Sequence, residues 1–327
     1  MNLTNIKVGG WNVLGAMARA AMFSADNYAL VDGDLGSASN PGTDTDTPVN
    51  SITNALTKVG RSGVVYVKPK QTAASAQSYY TDNFTLPLTK PGLKIIGCGA
   101  DEDSPYGGGP EIKMAVASSP VVTVNGQGMV LEGLRLAGTG LDATVSIIDA
   151  QDNTSTRVTT GLVVRGCRLG NGRGHGAAAA AIFLNSSWFN KIIHNVFTDC
   201  LTAIAVFTNS GGITNGLKVI DNDFDGQAAN RDCDIYVSGG STSNGLLLHM
   251  NRHNDALPAH ADGTIKRFIK IENAITGMLS DSRFAFTGAT IDSLIGTAGT
   301  QAIVPATVFI VHCFAEGSAE GIGIASR

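Results

Sequence analysis

The side chains best placed to do chemistry lie in Asp221-Asn-Asp-Phe-Asp-Gly226, with Asp199 before them and Arg252 after them. The D-x-D-x-D-G spacing matches the first half of a calcium loop, in which alternate carboxylates converge on one ion. The second half is missing, because no glutamate stands at the expected place downstream. Aspartate is also frequent in turns for backbone reasons of its own. Asp221, Asp223 and Asp225 are therefore read as solvated turn carboxylates, with Asp223 pointing outward between the inward-pointing Asn222 and Phe224 and flanked by the other two.

The remaining candidates are weaker. Asp32-Gly-Asp34, Asp44-Thr-Asp46 and Asp101-Glu-Asp103 have loop composition and read as solvated turns. His194, His249, His253 and His312 have no serine or carboxylate partner that sequence can assign, and each reads as a stacked, satisfied histidine. The five cysteines, Cys98, Cys167, Cys200, Cys233 and Cys313, form no C-x-x-C pair. They read as buried small hydrophobes and not as a zinc site. Cys167, Cys200 and Cys233 are evenly spaced, which suggests stacking. Gly107-Gly-Gly109 and Gly170 to Gly176 do not join a strand to a helix in the way that cradles phosphate. No catalytic set, metal site or cofactor is expected from these residues.

The elements that must carry these side chains show in a repeat. Hexads recur as Leu131-Glu-Gly-Leu-Arg-Leu136, Val164-Arg-Gly-Cys-Arg-Leu169, Ile192-Ile-His-Asn-Val-Phe197, Val219-Ile-Asp-Asn-Asp-Phe224, Leu248-His-Met-Asn-Arg-His253, Leu279-Ser-Asp-Ser-Arg-Phe284 and Phe309-Ile-Val-His-Cys-Phe314, spaced 27 to 33 residues apart. Each is read as a short strand with one buried face and a turn near its end. Asn195, Asn222 and Asn251 share the fourth position in three successive copies. Asparagine tolerates left-handed backbone angles, so a stack of them can cap a tight turn. A second family of apolar stretches lies between the hexads, at 145–148, 181–184, 203–207, 235–237 and 268–271. A period near 30 with two or three short strands and no 3.6-residue periodicity predicts a coiled parallel β-solenoid. The 40 glycines among 327 residues fit its tight turns and close stacking. The low charged fraction of 15% fits strands stacked on their own copies, where like charges would repel. Ser51 is the predicted N-cap of a helix running to about Val59 and ended by Gly60, ahead of the strand Val64–Val67; such a helix would cover the open end of the core.

Asn40-Pro-Gly-Thr43, this helix, Gly63-Val-Val-Tyr-Val-Lys-Pro69, Leu93-Lys-Ile-Ile-Gly-Cys-Gly99 and the asparagine hexads together resemble the pectate-lyase-like right-handed parallel β-helix superfamily. The resemblance implies an all-β, right-handed parallel β-helix over residues 31–314 with a short capping helix, preceded by an N-terminal arm (1–30) and followed by a tail (315–327). Members include polysaccharide lyases and hydrolases, phage tailspikes and non-enzymatic virion proteins. Lyases of the group pair calcium-binding aspartates with an arginine base, and hydrolases use clustered aspartates as acid and base. Either chemistry would fall on Asp221, Asp223, Asp225 and Arg252.

The aromatic content of 6% is low for a sugar-binding cleft, and Trp188 and Tyr236 are the main aromatics in the coils outside strand or hexad cores. A net charge of −4 gives no footprint for nucleic acid. No apolar run suits a membrane span, and no secretion signal is visible. A sizeable particle-binding or trimerisation domain also has no room in the chain. The expectation is a non-enzymatic phage virion protein that decorates the capsid or another particle surface, associates as a homotrimer, and meets the major capsid protein and other virion proteins, with surface carbohydrate as a further partner. The alternative is a polysaccharide-binding or polysaccharide-degrading tailspike or lyase.

Overall fold

The computed structural model describes residues 7–8, 11–12, 27–70, 79–99, 109–151, 159–172, 180–207, 213–226, 233–238, 242–255, 268–271, 275–286, 295–296 and 308–316. Nearly all of its regular structure is β. Among the described residues three long sheets of eleven, nine and eight strands run the length of the chain, and within each sheet the neighbours are successive coils. Their pairings are parallel, as in Val130–Glu132 with Val163–Arg165 in the first sheet, Arg135–Ala137 with Arg168–Gly170 in the second, and Ile148–Gln151 with Ile182–Asn185 in the third. Residues one coil apart therefore become lateral neighbours. The all-β parallel solenoid expected from the repeat is what the chain forms.

The hexads differ from their sequence reading. Each is not one strand but a corner between two: Leu131-Glu132 ends a strand of the first sheet, Gly133 turns the chain, and Arg135-Leu136 opens a strand of the second. The third hexad position carries the turn with a positive φ in the first six copies, Gly133, Gly166, His194, Asp221, Met250 and Asp281. In the seventh the turn falls one residue later than the hexad alignment, on His312, because Leu279 pairs with Ile310 and Arg283 with Phe314. The fourth position tucks inward. There Asn222 accepts through Oδ1 from the Asn195 backbone N–H and from Asn195 Nδ2, both at 3.0 Å, and donates through Nδ2 to the carbonyls of Ile192 and Ile220. Asn251 repeats the contact one coil on, at 3.1 Å to both Asn222 donors. Buried backbone groups at the corner must find partners, and the asparagine amides supply them.

Alternation along each strand sends one set of side chains into the coil. Val65, Ile95, Leu131, Val164, Ile192, Val219 and Leu248 line the first sheet's inner face. On the second sheet Phe197, Phe224, His253 and Phe284 stack nearly parallel, with centroids 4.9, 4.8 and 4.6 Å apart. The stretches at 145–148, 181–184, 203–207, 235–237 and 268–271 lie at or in the third sheet, whose strands include Ile182–Asn185, Thr202–Phe207, Cys233–Val237 and Ile269–Ile271.

The helix covers Ile52–Lys58, with Ser51 Oγ accepting from the Asn54 N–H at 3.1 Å, and buries Ile52, Ala55 and Leu56 against the first strands of the coil. Its end departs from the sequence reading. Val59 is the C-cap, and the left-handed residue is Ser62, while Gly60 donates to Asn27 Oδ1. Cys167, Cys200 and Cys233 do not stack: Cys167 fills a fourth hexad position, Cys200 lies between the second and third sheets, and Cys233 begins a strand of the third. Their equal spacing reflects coils of unequal length. Cys98, Cys167, Cys200 and Cys233 are buried and free, as small hydrophobes are.

Candidate functional site

The corner between the first and second sheets gathers most of the candidate residues. Its turn position holds aspartate and histidine in four of seven coils, residue types that tolerate positive φ better than most. Because coils stack in register, these side chains meet one another. His194 Nδ1 lies 3.0 Å from Asp221 Oδ2. Asp281 lies between two imidazoles, with Oδ2 at 3.3 Å from His249 Nδ1 and Oδ1 at 3.6 Å from His312 Nδ1. The fourth hexad histidine is different in kind: His253 is fully buried in the aromatic stack, with Nδ1 2.7 Å from Asp234 Oδ2.

All four hexad histidines thus have carboxylate partners. Sequence reasoning assigned none, since the partners lie 19 to 32 residues away. The signal that finds the corner pairs is the register itself: once the coils are aligned, His194 falls beside Asp221, and His249 falls beside Ser280, one residue from Asp281.

The predicted carboxylates separate. Asp221 is a corner residue facing His194, whereas Asp223 and Asp225 sit two residues apart on a strand of the second sheet. Phe224 between them points into the core, which turns Asp223 outward. Asp223 is nevertheless nearly covered. Its Oδ2 is 3.2 Å from Arg252 Nη2, and its Oδ1 accepts from Asn254 Nδ2 at 3.1 Å. Asp225 lies beside Thr198 on one side and Asn254 on the other. Asp199 is a turn residue after the preceding strand of that sheet. The structure therefore brings Asp223 and Arg252 together, places Asp225 on the same face, and puts Asp221 around the corner. Three carboxylates so arranged do not converge on one point as a calcium loop requires. Among the described residues no group of three or more His, Cys, Asp and Glu side chains is disposed to hold a metal ion.

A serine lies close to one of the corner histidines. Ser280 Oγ is 2.9 Å from His249 Nδ1, the same nitrogen that faces Asp281. A nucleophilic triad needs the serine and the carboxylate on opposite ring nitrogens, so that one proton can pass while the other is held. Here both compete for one nitrogen, and the contact braces the corner without activating the hydroxyl.

Elsewhere the aspartate pairs behave unequally. Asp44 Oδ1 accepts from the Asp46 N–H, an exposed turn. Asp32 corrects its sequence reading: it is buried, ion-paired with Lys68 Nζ at 2.7 Å, and accepts from the backbone N–H groups of Asp34 and Leu35. A charge that close to the core is retained because both oxygens have partners. Asp101-Glu-Asp103 lies outside the described residues, as does part of each glycine-rich loop.

The aromatics redistribute as well. Tyr236 is buried with Phe183, Ala205 and Cys233 on the outer side of the third sheet, and Trp188 is half-buried. Among the described residues of the central coils the exposed aromatic is Phe189, at 57%.

No protein-family model and no curated protein matches this chain. Among solved structures it is similar to the pectin methylesterase from Aspergillus niger, at 12% identity and a TM-score of 0.41, over 91% of this chain and 88% of that one. The tailspike protein gp49 of Acinetobacter baumannii bacteriophage Fri1, a capsular polysaccharide depolymerase, follows at 9% identity and 0.38, over 94% of this chain and 64% of that longer one. Geobacillus virus E2 ORF18 matches at 12% and 0.35, over 82% and 54%. These are likenesses of chain path at low identity, and neither esterase nor depolymerase chemistry passes from them to this chain. What the chain shows by itself is the architecture, a parallel β-helix of three sheets.

Proposed function

We propose that this chain is a non-enzymatic structural protein of a phage particle, a rigid β-helix decorating the capsid or another particle surface, with the major capsid protein as its neighbour and three copies associating side by side. The observation that carries the non-enzymatic part is the engagement of the candidate side chains with one another across coils. Asp221 faces His194, Asp223 is held by Arg252 and Asn254, and Asp281 links His249 with His312. In-register pairs of this kind brace a stack of coils, whereas a catalytic set must aim its groups at a shared point where substrate reacts. The assignment to a phage particle draws on the superfamily resemblance.

Mass spectrometry of the source particle, with electron microscopy to place a trimeric solenoid on its surface, tests the reading. Measurable turnover of a polyuronate or a capsular polysaccharide by the purified protein would sink it. The second reading, a polysaccharide-degrading tailspike or lyase, rests on Asp223 and Asp225 sharing one face of the second sheet. It requires that Asp223→Ala abolish cleavage in a protein that still folds.

A further inference from the structure

The corner that leads into the first sheet is built almost wholly from residues without a bulky side chain. Its left-handed position is Ser62, Gly92, Gly128, Gly161, Gly216 and Gly245 in six coils, each with φ between 56° and 76°. Their equivalence is set by hydrogen bonds that climb the column: Gly128 N–H to the Thr160 carbonyl, Gly161 N–H to Trp188, and Gly216 N–H to Asn244. In the coil between Gly161 and Gly216 the same position is Phe189, with φ of 56° and its N–H bonded to the Asn215 carbonyl. A bulky side chain is strained in this conformation, and glycine is free of that strain.

Packing does not account for the exchange. The ring lies outside the coil over Gly216, where an added methyl group would sit 2.6 Å from Phe189 Cδ1, and it remains 57% exposed. Trp188 meets it edge-on, with centroids 6.5 Å apart and planes at 84°. Strain kept at an exposed apolar ring is the kind of departure that accompanies binding.

Two cations flank it. Lys191, two residues after Phe189, and Lys218, two residues after Gly216, are in register on adjacent strands and both exposed. Like charges directly opposed on neighbouring strands, about 4.8 Å apart, repel one another. Where arginines stack on the second sheet the column includes counter-charge, as Glu111 provides for Arg135 and Asp223 for Arg252. Their main-chain N–H groups are held in the sheet, by the carbonyls of Leu162 and Asn190, and neither ammonium group has an ion-pair or hydrogen-bond partner among the described residues.

We propose that Phe189, Lys191 and Lys218 form a binding platform for an acidic polysaccharide, a sugar face lying on the Phe189 ring and a uronate or sialate carboxylate lying between the two ammonium groups. An aromatic face suits the apolar C–H surface of a sugar ring. The paired cations select an anionic glycan over a neutral one. The platform binds and does not cleave, so it stands whether or not the chain belongs to a particle surface.

The decisive variant is Phe189→Gly, which restores the residue type of the column. The full chain, Phe189→Gly and Lys191→Gln/Lys218→Gln are to be compared on an array of uronate- and sialate-containing oligosaccharides beside their neutral counterparts and a single-stranded oligonucleotide, with thermal midpoints measured in parallel. The parent should bind at least one acidic glycan more tightly than its neutral counterpart. Phe189→Gly should weaken that binding tenfold or more with an unchanged or higher midpoint, and the lysine variant should abolish its salt dependence. The proposal is overturned if the parent binds no acidic glycan, if it binds neutral glycans or the oligonucleotide as tightly, if Phe189→Gly binds like the parent, or if that variant melts several degrees lower, which would make the ring a packing element.

Discussion

His253 is the one polar ring in the core stack, and replacing it separates its two roles. The imidazole lies between Phe224 and Phe284 at 4.8 and 4.6 Å, which is the stacking role. Its Nδ1 meets Asp234 Oδ2 at 2.7 Å, with side chains 0% and 2% exposed, which is the pairing role. His253→Phe preserves the stack and removes the contact. Breaking a buried pair from one side costs about 3–5 kcal/mol, and an added aromatic contact returns about 1 kcal/mol, so the net loss should be roughly 2–4 kcal/mol. Asp234→Ala installs the residue found one coil earlier, Ala203, which the register of Thr202 with Cys233 and of Ile204 with Ile235 places alongside. It leaves an imidazole short of its acceptor, at about 1–3 kcal/mol. The double variant should lie within about 1 kcal/mol of the parent, since an apolar replacement of both members of a buried pair is often neutral. Urea unfolding followed by circular dichroism and fluorescence gives the cycle. Additive losses in the double variant, or a His253→Phe variant as stable as the parent, would refute the reasoning.

Other outcomes follow from the same geometry. Asn222→Ala deletes both acceptor contacts to Asn195 and both donor contacts to main-chain carbonyls; at about 1–3 kcal/mol per stranded buried group, it should lower the urea midpoint far more than any surface change. Ser51→Ala removes the helix N-cap bond and should lower stability by about 1 kcal/mol in the same assay. Asp223→Ala should leave the fold intact and cost under about 1 kcal/mol, because its partner Arg252 is 59% exposed and can rehydrate. Burial pushes the Cys98 and Cys167 thiols up from 9.0 to about 12 and raises the Tyr80 phenol as well. Above pH 9.0 the unfolded chain loses thiol protons that the folded chain keeps. Stability should therefore fall as pH rises from about 9 toward 12, by roughly 1.4 kcal/mol per pH unit for each thiol; urea midpoints that stay flat across that range would contradict it.

The fold was legible because a solenoid repeats its demands. Inward residues at the two ends of the hexad, apolar in all but His253, recur from coil to coil, and three asparagines in register in successive copies already specify the corner they line. The position of the bend was harder to read. Leu131 to Leu136 is as apolar at its ends as a single strand would be, and only the positive φ at Gly133 divides it between two sheets. Histidine, aspartate and methionine at that same position in later coils hide the turn from any reading that looks for glycine.

The sites were less legible because their chemistry is lateral. Along the chain Asp221, Asp223 and Asp225 look like one cluster; in space a corner separates the first from the other two, and each finds its neighbour a coil away. Phe189 shows the same principle from the other side. As a phenylalanine among twelve it carries no signal, and as the aromatic in a column of glycines it stands apart at once. In a stacked coil the informative comparison for any residue is with its equivalents above and below, since those define what the position needs for folding. A residue that meets this need is scaffold, and one that departs from it at a cost in strain is the place to look for binding.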